Sequence, residues 1–169
     1  QLALEWFGKA AAKENPEALM ALGRYYSQSP AGSADRAKAI EYFTKAASQG
    51  NAEAEYWLGA EELNAAGSRG KAITHLRRSA DAGFPLAQVR LGRLYLTGGD
   101  GVQKDEKRAV ELFRKAADAG NSEALYFMAV CLSKGAGVAA NPAMAAEYAL
   151  KSAESGNSFG QYLYGIFCQ

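Results

Sequence analysis

The chain has 169 residues, of which 49% are apolar, and its 19 basic and 18 acidic side chains leave a formal net charge of +1. This near-neutral balance argues against nucleic acid as a partner, because nucleic-acid binding depends on clustered cations that displace counterions. No apolar run approaches the ~18 residues that a membrane-spanning helix requires, and no secretory signal is visible. Since the sequence begins without Met, we expect it to belong to a longer polypeptide.

Apolar residues at helical spacing predict ten helices in chain order. Asn15-Pro16 marks one start, since asparagine caps a helix and proline fits its first position. A glycine that takes the left-handed cap and an asparagine that caps the next helix mark joints at Gly50-Asn51, Gly120-Asn121 and Gly156-Asn157. No segment alternates with period two, so we expect an all-α fold. The predicted helices cover residues 2–13, 16–27, 35–49, 52–65, 69–82, 85–97, 105–119, 122–134, 142–155 and 158 onward.

Helix pairs recur along the chain with a period of 33 to 37 residues. A leucine–glycine pair, or a variant of it, returns at steps of 36, 33, 37 and 36 residues, and an alanine series and a joint-glycine series follow in parallel. A period in this range indicates a helical solenoid, in which each repeat contacts its neighbours. The pairs are Leu22-Gly23, Leu58-Gly59, Leu91-Gly92, Met128-Ala129 and Tyr164-Gly165.

These steps divide a single array, residues 1–169, into four complete repeats, each with a first helix A and a second helix B, and a partial repeat at either end. The small residue of each pair is expected to let the A helix pack closely on its own B helix, so Gly92→Leu would be strongly destabilising. The complete repeats cover residues 15–50, 51–83, 84–120 and 121–156, a lone B helix covers 1–14 and a lone A helix covers 157–169.

Two motifs point to a known repeat family. The third repeat contains Ala87-x-x-x-Leu91-Gly92-x-x-Tyr95 and the glycine loop Gly99-Asp100-Gly101-Val102. The first B helix contains Lys38-Ala39-x-x-Tyr42-x-x-Lys45-Ala46-Ala47-x-x-Gly50. Both closely resemble the Sel-one-like repeat, a relative of the tetratricopeptide repeat, and the resemblance covers essentially the whole chain. It implies an α/α right-handed superhelical solenoid of helix-turn-helix repeats. The chain departs from the pattern in the first two loops, at Glu62, and at Ala129 and Leu132.

No residue pattern indicates a catalytic, metal or cofactor site, so we expect no enzyme. His75 is the only histidine and lies at the aromatic position of its B helix, where we expect a packing residue without the partners that catalysis or metal binding requires. The glycine loops at 98–102 and 135–138 have no preceding strand and no Gly-Lys-Ser/Thr, so we interpret them as loop geometry rather than phosphate sites. The charged residues of the B helices are interpreted as a solvated convex face.

Cys131 and Cys168 lie one repeat apart, on neighbouring A helices. One interpretation is a disulfide between adjacent repeats in an exported protein, which would require the two Cα atoms to lie closer than ~7 Å. The other is a pair of free cysteines that act as small apolar side chains. The sequence leaves both interpretations open.

In tetratricopeptide-like arrays the A helices line the concave groove, which makes the exposed side of these helices the candidate binding surface. We selected the positions three before, one after and five after the small residue of each repeat. They form a predicted recognition strip, since aromatic residues and arginine are enriched at binding hot spots. The alternative is that Tyr56, Tyr126 and Tyr162 only stack on one another to close the inner layer. The predicted partner-binding residues are Met20, Arg24, Gln28, Tyr56, Asn64, Val89, Arg93, Thr97, Tyr126, Lys134 and Tyr162.

The resemblance implies a non-catalytic scaffold or adaptor that needs no cofactor and binds a peptide or protein partner on its concave face. An alternative is an envelope protein associated with polysaccharide or peptidoglycan, in which the tyrosines form sugar platforms. Self-association through the end helices is a further alternative. The resemblance favours a bacterial protein, and the periplasm or envelope over the cytoplasm.

Overall fold

The computed structural model of the chain describes residues 2–30, 33–63, 68–99 and 101–169. Within these ranges the chain forms ten α-helices, and the single β-type feature is an isolated bridge between Gly99 and Val102. The predicted all-α fold is confirmed, and each described helix boundary lies within two residues of its predicted position. The B helices are α1 (Leu2–Ala11), α3 (Ala34–Ser48), α5 (Arg69–Asp81), α7 (Glu106–Asp118) and α9 (Pro142–Glu154). The A helices are α2 (Pro16–Ser27), α4 (Ala52–Leu63), α6 (Pro85–Thr97), α8 (Ser122–Lys134) and α10 (Ser158–Phe167).

Most A helices begin at an asparagine cap, as predicted. The Asn15 side-chain oxygen accepts a hydrogen bond of 2.9 Å from the Ala18 N–H, and the same bond forms in three further repeats, at Asn51, Asn121 and Asn157. The glycines that precede the last three caps have φ between +80° and +83°, in the left-handed region. Replacing such a capping side chain with alanine typically costs about 1 kcal/mol. The joints therefore fix where each repeat starts.

The helices group into two compact units, residues 1–79 and residues 80–169. The N-terminal unit contains α1 to α4 and most of α5, and the C-terminal unit contains α6 to α10. Each unit has its own apolar core, with Leu19 and Phe43 fully buried in the first and Phe113 and Met128 in the second.

In each of the first three complete repeats, a glycine of the A helix lies directly against a large side chain of its own B helix. A Cβ atom added at Gly92 would lie 2.7 Å from the Phe113 ring, and one added at Gly59 would lie 2.8 Å from Leu76. Gly23 faces Phe43 in the same way. The predicted role of the repeat glycine is therefore confirmed at these three positions, because no side chain fits there without moving the B helix. A Cβ atom at Gly165 would meet no atom within 4 Å, so the packing role predicted for that glycine is not seen.

The fourth repeat keeps this packing with a different pair of residues. Its A helix carries Ala129 at the glycine position, and its B helix carries Ala149 where Phe113 stands in the third repeat. Both alanines are completely buried. A larger residue on one helix is thus matched by a smaller one on the other.

Aromatic rings connect successive repeats in both units. The Phe43 ring stacks on Trp57 of the next A helix with centroids 6.0 Å apart, and Phe113 stacks on Phe127 with centroids 4.9 Å apart. Each pair links a B helix to the A helix that follows it fourteen positions later. Stacked aromatic pairs of this kind contribute about 0.5–1.5 kcal/mol beyond their buried area.

Candidate functional site on the A helices

Both predicted arginines lie on the exposed side of the A helices, and each forms an ion pair with the next A helix. Arg24 Nη1 lies 2.9 Å from Glu53 Oε1 in the N-terminal unit, and Arg93 Nη1 lies 3.3 Å from Glu123 Oε1 in the C-terminal unit. Each arginine directly follows its repeat glycine, and each glutamate lies in the first turn of the following A helix. Because exposed ion pairs contribute little to stability, both guanidinium groups can exchange their glutamate for an acidic group of a partner.

An apolar patch follows on α8 and α10 of the C-terminal unit. Tyr126 packs against Phe159 with ring centroids 5.7 Å apart. Phe159, Tyr162 and Ile166 recur at helical spacing along one face of α10 and are 65%, 73% and 47% exposed. We call Tyr126, Phe159, Tyr162 and Ile166 the apolar patch. Large exposed apolar side chains grouped on one face are a mark of interaction sites.

Sequence reasoning identified two of these four residues and missed the other two. Ile166 was overlooked, although it takes the position that Arg24 and Arg93 occupy in their repeats. Phe159 takes the position of Glu53 and Glu123, six residues before the small residue. Including the position of the first-turn glutamate in the aligned repeats would have identified Phe159.

Tyr126 and Tyr162 of the C-terminal unit do not stack on one another, as the alternative interpretation supposed that they would. The neighbour of Tyr126 on α10 is Phe159, and Tyr126 also meets Phe127 edge-on. Tyr56 belongs to the N-terminal unit, where its ring lies edge-on to Trp57 at 5.4 Å. The ring neighbours of Tyr126 are therefore two phenylalanines of its own unit.

Two predicted contact residues belong to the core instead. Met20 is 3% exposed and Val89 is 2% exposed, so neither side chain has surface for a partner to contact. The tyrosines at the equivalent position, three before the small residue, keep exposed surface: Tyr56 and Tyr126 are half-buried and Tyr162 is exposed. Gln28, Thr97 and Lys134 are exposed at or just beyond the ends of their helices, and Asn64 lies outside the described residues.

His75 has acidic partners, contrary to the prediction that it lacks them. Its Nδ1 lies 2.5 Å from Glu55 Oε2, and its Nε2 lies 3.7 Å from Glu62 Oε2. In the first repeat the equivalent positions hold Tyr26 and Tyr42, whose rings stack 5.9 Å apart. The second repeat thus replaces an aromatic pair with an imidazole between two carboxylates. In the described part of the chain no group of three or more potential ligands could hold a metal ion.

Both cysteines are free, so the predicted disulfide alternative is not formed. Cys131 is completely buried, and this burial raises the pKa of its thiol to about 11. Cys168 is exposed near the end of α10. The chain therefore carries one inert and one accessible thiol.

The glycine loop of the third repeat is closed by its own backbone. The Gly99 N–H donates to the Val102 carbonyl at 3.0 Å, and the Val102 N–H donates back to Gly99 at 2.8 Å. In the equivalent loop of the fourth repeat, a Cβ atom at Gly137 would overlap the backbone of Glu106. Loop closure and close backbone approach account for these glycines, in agreement with the loop-geometry interpretation. Across the described ranges, no helix has the length and apolar content needed to span a bilayer.

Comparison with solved structures places these helices among known repeat proteins. A protective antigen present in uropathogenic Escherichia coli strains, which displays an SLR fold, matches with 32% identity and a TM-score of 0.87 over 98% of this chain and 36% of its own. A Sel1 repeat protein from Oxalobacter formigenes matches with 30% identity and a TM-score of 0.84 over 96% of this chain and 66% of its own. An immunity protein from Pseudomonas aeruginosa, at 24% identity and a TM-score of 0.66 over 94% of this chain and 58% of its own, shares the fold.

The present chain thus spans about a third of the first relative and about two thirds of the second. Comparison with curated proteins gives no match. The family model described as "Sel1 repeat" matches residues 1–15, 16–51, 52–84, 85–121 and 122–157 in succession. The chain therefore belongs to the Sel1 repeat family, and its fold is an all-α repeat solenoid.

Proposed function

We propose that the chain is a non-catalytic scaffold that binds a peptide segment or protein partner on the exposed side of its A helices. Sel1 repeat proteins are in general protein-interaction scaffolds without enzymatic activity. Extended surfaces built from stacked helices are the usual binding surfaces of repeat proteins. What we propose for this chain is the class of its partner, a peptide or protein, and the surface on which that partner binds.

The apolar patch is the observation that carries this proposal. Phe159 and Tyr162 are the two most exposed aromatic side chains of the C-terminal unit. Arg93 lies on the exposed side of α6 in the same unit, and its guanidinium lies 5.6 Å from the centre of the Phe127 ring. Aromatic and arginine side chains together are the residue types most often found at binding hot spots. A partner that covers the patch with apolar side chains and pairs an acidic group with Arg93 fits this surface.

Photo-crosslinking in the host of origin tests the proposal. A benzophenone amino acid is placed at Tyr162, and the matched control carries it at Glu111, which is exposed on α7 of the same unit. We expect a discrete protein adduct from position 162 that forms independently of any adduct from position 111, which reports contacts on the B helices. Phe159→Ala is then expected to weaken binding of the captured protein by about 2 kcal/mol, the loss typical of a hot-spot residue.

Two outcomes would contradict the proposal. Adducts from position 111 alone would move the binding surface to the B helices. Adducts that carry glycan rather than protein at position 162 would favour the alternative function, in which the exposed rings are platforms for polysaccharide or peptidoglycan.

We also propose a location in the bacterial periplasm or envelope, on the basis of the family resemblance alone. Fractionation of the host cells, followed by immunodetection of the native protein, tests this proposal. Recovery in the cytoplasmic fraction would contradict the location without affecting the proposed binding surface.

A further inference from the structure

The fourth repeat contains a cavity of about 340 Å³ on the side of its B helix, away from the surface discussed above. Met128 and Leu132 of α8, both buried, form its floor, and Met144 and Tyr148 of α9 form its wall. Residues 138–141 of the preceding loop complete the lining, and Arg114 of α7 lies at the rim. All of its lining residues belong to the C-terminal unit, and one side of the cavity is open to solvent.

Two residue differences from the first and third repeats make the lining of this cavity apolar. In the third repeat the equivalents of Leu132 and Met144 are Tyr95 and Arg108, and the guanidinium lies 5.6 Å from the ring centre. The first repeat has the same arrangement, in which Lys38 lies 5.0 Å from the Tyr26 ring. Leucine and methionine replace both the ring and the cation, so the fourth repeat loses a cation–π pair worth about 0.5–1 kcal/mol at an exposed site.

The chemistry of the lining indicates what the cavity accepts. Arg114 is the charged side chain among the lining residues, and within the described residues it forms no ion pair. Met144 is 43% exposed, and methionine is a flexible side chain that adapts to the shape of what it contacts. A volume at the lower end of the range for ligand sites, about 300–1,000 Å³, suits one or two side chains rather than a large cofactor.

We propose that this cavity is a second docking site, which receives one apolar side chain of a protein partner while an adjacent acidic residue of that partner pairs with Arg114. The apolar floor removes the inserted side chain from water, and the unpaired guanidinium selects the neighbouring carboxylate. The site lies on the B-helix side and does not depend on the apolar patch of α8 and α10.

The three methionines of the chain provide a direct test by ¹³C-methyl NMR. Met128 and Met144 line the cavity, and Met20 is buried in the N-terminal unit and is the internal control. The probes are the blocked dipeptides acetyl-Leu-Glu-amide and acetyl-Leu-Gln-amide, added at millimolar concentrations. We expect both cavity methyl signals to shift while Met20 stays in place. The acidic probe should bind about two- to fivefold more tightly, as for an exposed ion pair, and Arg114→Gln should abolish that difference.

Two variants close the cavity without touching the A-helix surface. The double variant Leu132→Tyr/Met144→Arg restores the pair found in the third repeat, and Ala139→Phe fills the exposed mouth if the double variant does not fold. In either variant the Met128 signal should no longer respond to the acidic probe, whereas Tyr126→Ala should leave the response unchanged. Absence of any shift at Met128 and Met144 in the wild type, or an equal response in a folded closed variant, would overturn the proposal.

Discussion

The two units share one architecture but have diverged in opposite chemical directions. Each contains an Arg–Glu pair between successive A helices, as in Arg24–Glu53 and Arg93–Glu123, and each contains an aromatic stack between a B helix and the next A helix. Beyond these shared contacts, the N-terminal unit replaces an aromatic pair with a histidine between two glutamates. The C-terminal unit replaces a cation–π pair with an apolar cavity. The ion pairs and aromatic stacks between helices are thus common to both units. The side chains near the loop between the A and B helices, such as Glu62 and Leu132, differ from one repeat to another.

The largest expected effect comes from breaking the shared architecture. Gly92→Leu should lower the free energy of unfolding by about 3 kcal/mol or more, because the side chain cannot be accommodated against Phe113 without separating the helix pair. Urea denaturation followed by circular dichroism measures this change. Gly8→Ala is the matched control, since its Cβ would meet no atom within 4 Å, and it should raise stability by about 0.5–1 kcal/mol. An unchanged unfolding midpoint for Gly92→Leu would contradict the repeat alignment.

An intermediate effect is expected where the units differ. His75→Tyr should lower stability by about 1–3 kcal/mol, because it removes the imidazole that hydrogen-bonds Glu55 and lies beside Glu62. Glu62→Tyr should cost about 1 kcal/mol or less, since His75 keeps its hydrogen bond to Glu55. The double variant recreates the Tyr26–Tyr42 pair of the first repeat and should recover most of the loss. A double-mutant cycle from denaturation curves is expected to give a coupling of at least about 1 kcal/mol. Strictly additive losses would show that the two side chains do not act as a pair.

The smallest effect is expected where the units agree. Glu53→Ala and Glu123→Ala should each remove less than about 1 kcal/mol of salt-dependent stability, since exposed ion pairs are weak and are screened by salt. Glu53→Ala also removes the acceptor of a 3.2 Å hydrogen bond from Trp57 Nε1, which adds a loss that salt does not screen. Thermal denaturation at low and high ionic strength measures both. Similar salt-dependent losses in the two units would support a common role for the pairs, and a salt-dependent loss confined to one unit would show that its pair is structural.

The sequence was sufficient to locate the repeats because their signals are local. Asparagine caps, left-handed glycines and helical apolar spacing each determine a few neighbouring residues, and together they predicted every helix and the close approach at Gly92. Prediction of the binding surface was less complete because exposure depends on the neighbouring helix. Met20 and Val89 share a position with Tyr126 but are buried. Phe159 was missed because the selected positions did not include the place that a glutamate holds in two other repeats.

The approach of Glu62 to His75 could not be predicted from the sequence, for a different reason. Glu62 departs from the family pattern on an A helix and His75 on a B helix, and nothing in the spacing of the sequence links the two positions. Only the folded second repeat shows that the two side chains approach one another, with His75 Nε2 3.7 Å from Glu62 Oε2.

The exchange of glycine and phenylalanine for two alanines has a consequence for how such arrays grow. A genetic crossover at a glycine–asparagine joint keeps every A helix with the B helix to which it is fitted. A crossover inside the loop between them would place Ala129 against a phenylalanine like Phe113, or leave Gly92 opposite a residue as small as Ala149. The first hybrid would be overpacked and the second would contain a void, and both faults destabilise a packed core. Recombination should therefore duplicate and delete this protein in units that begin at the joints.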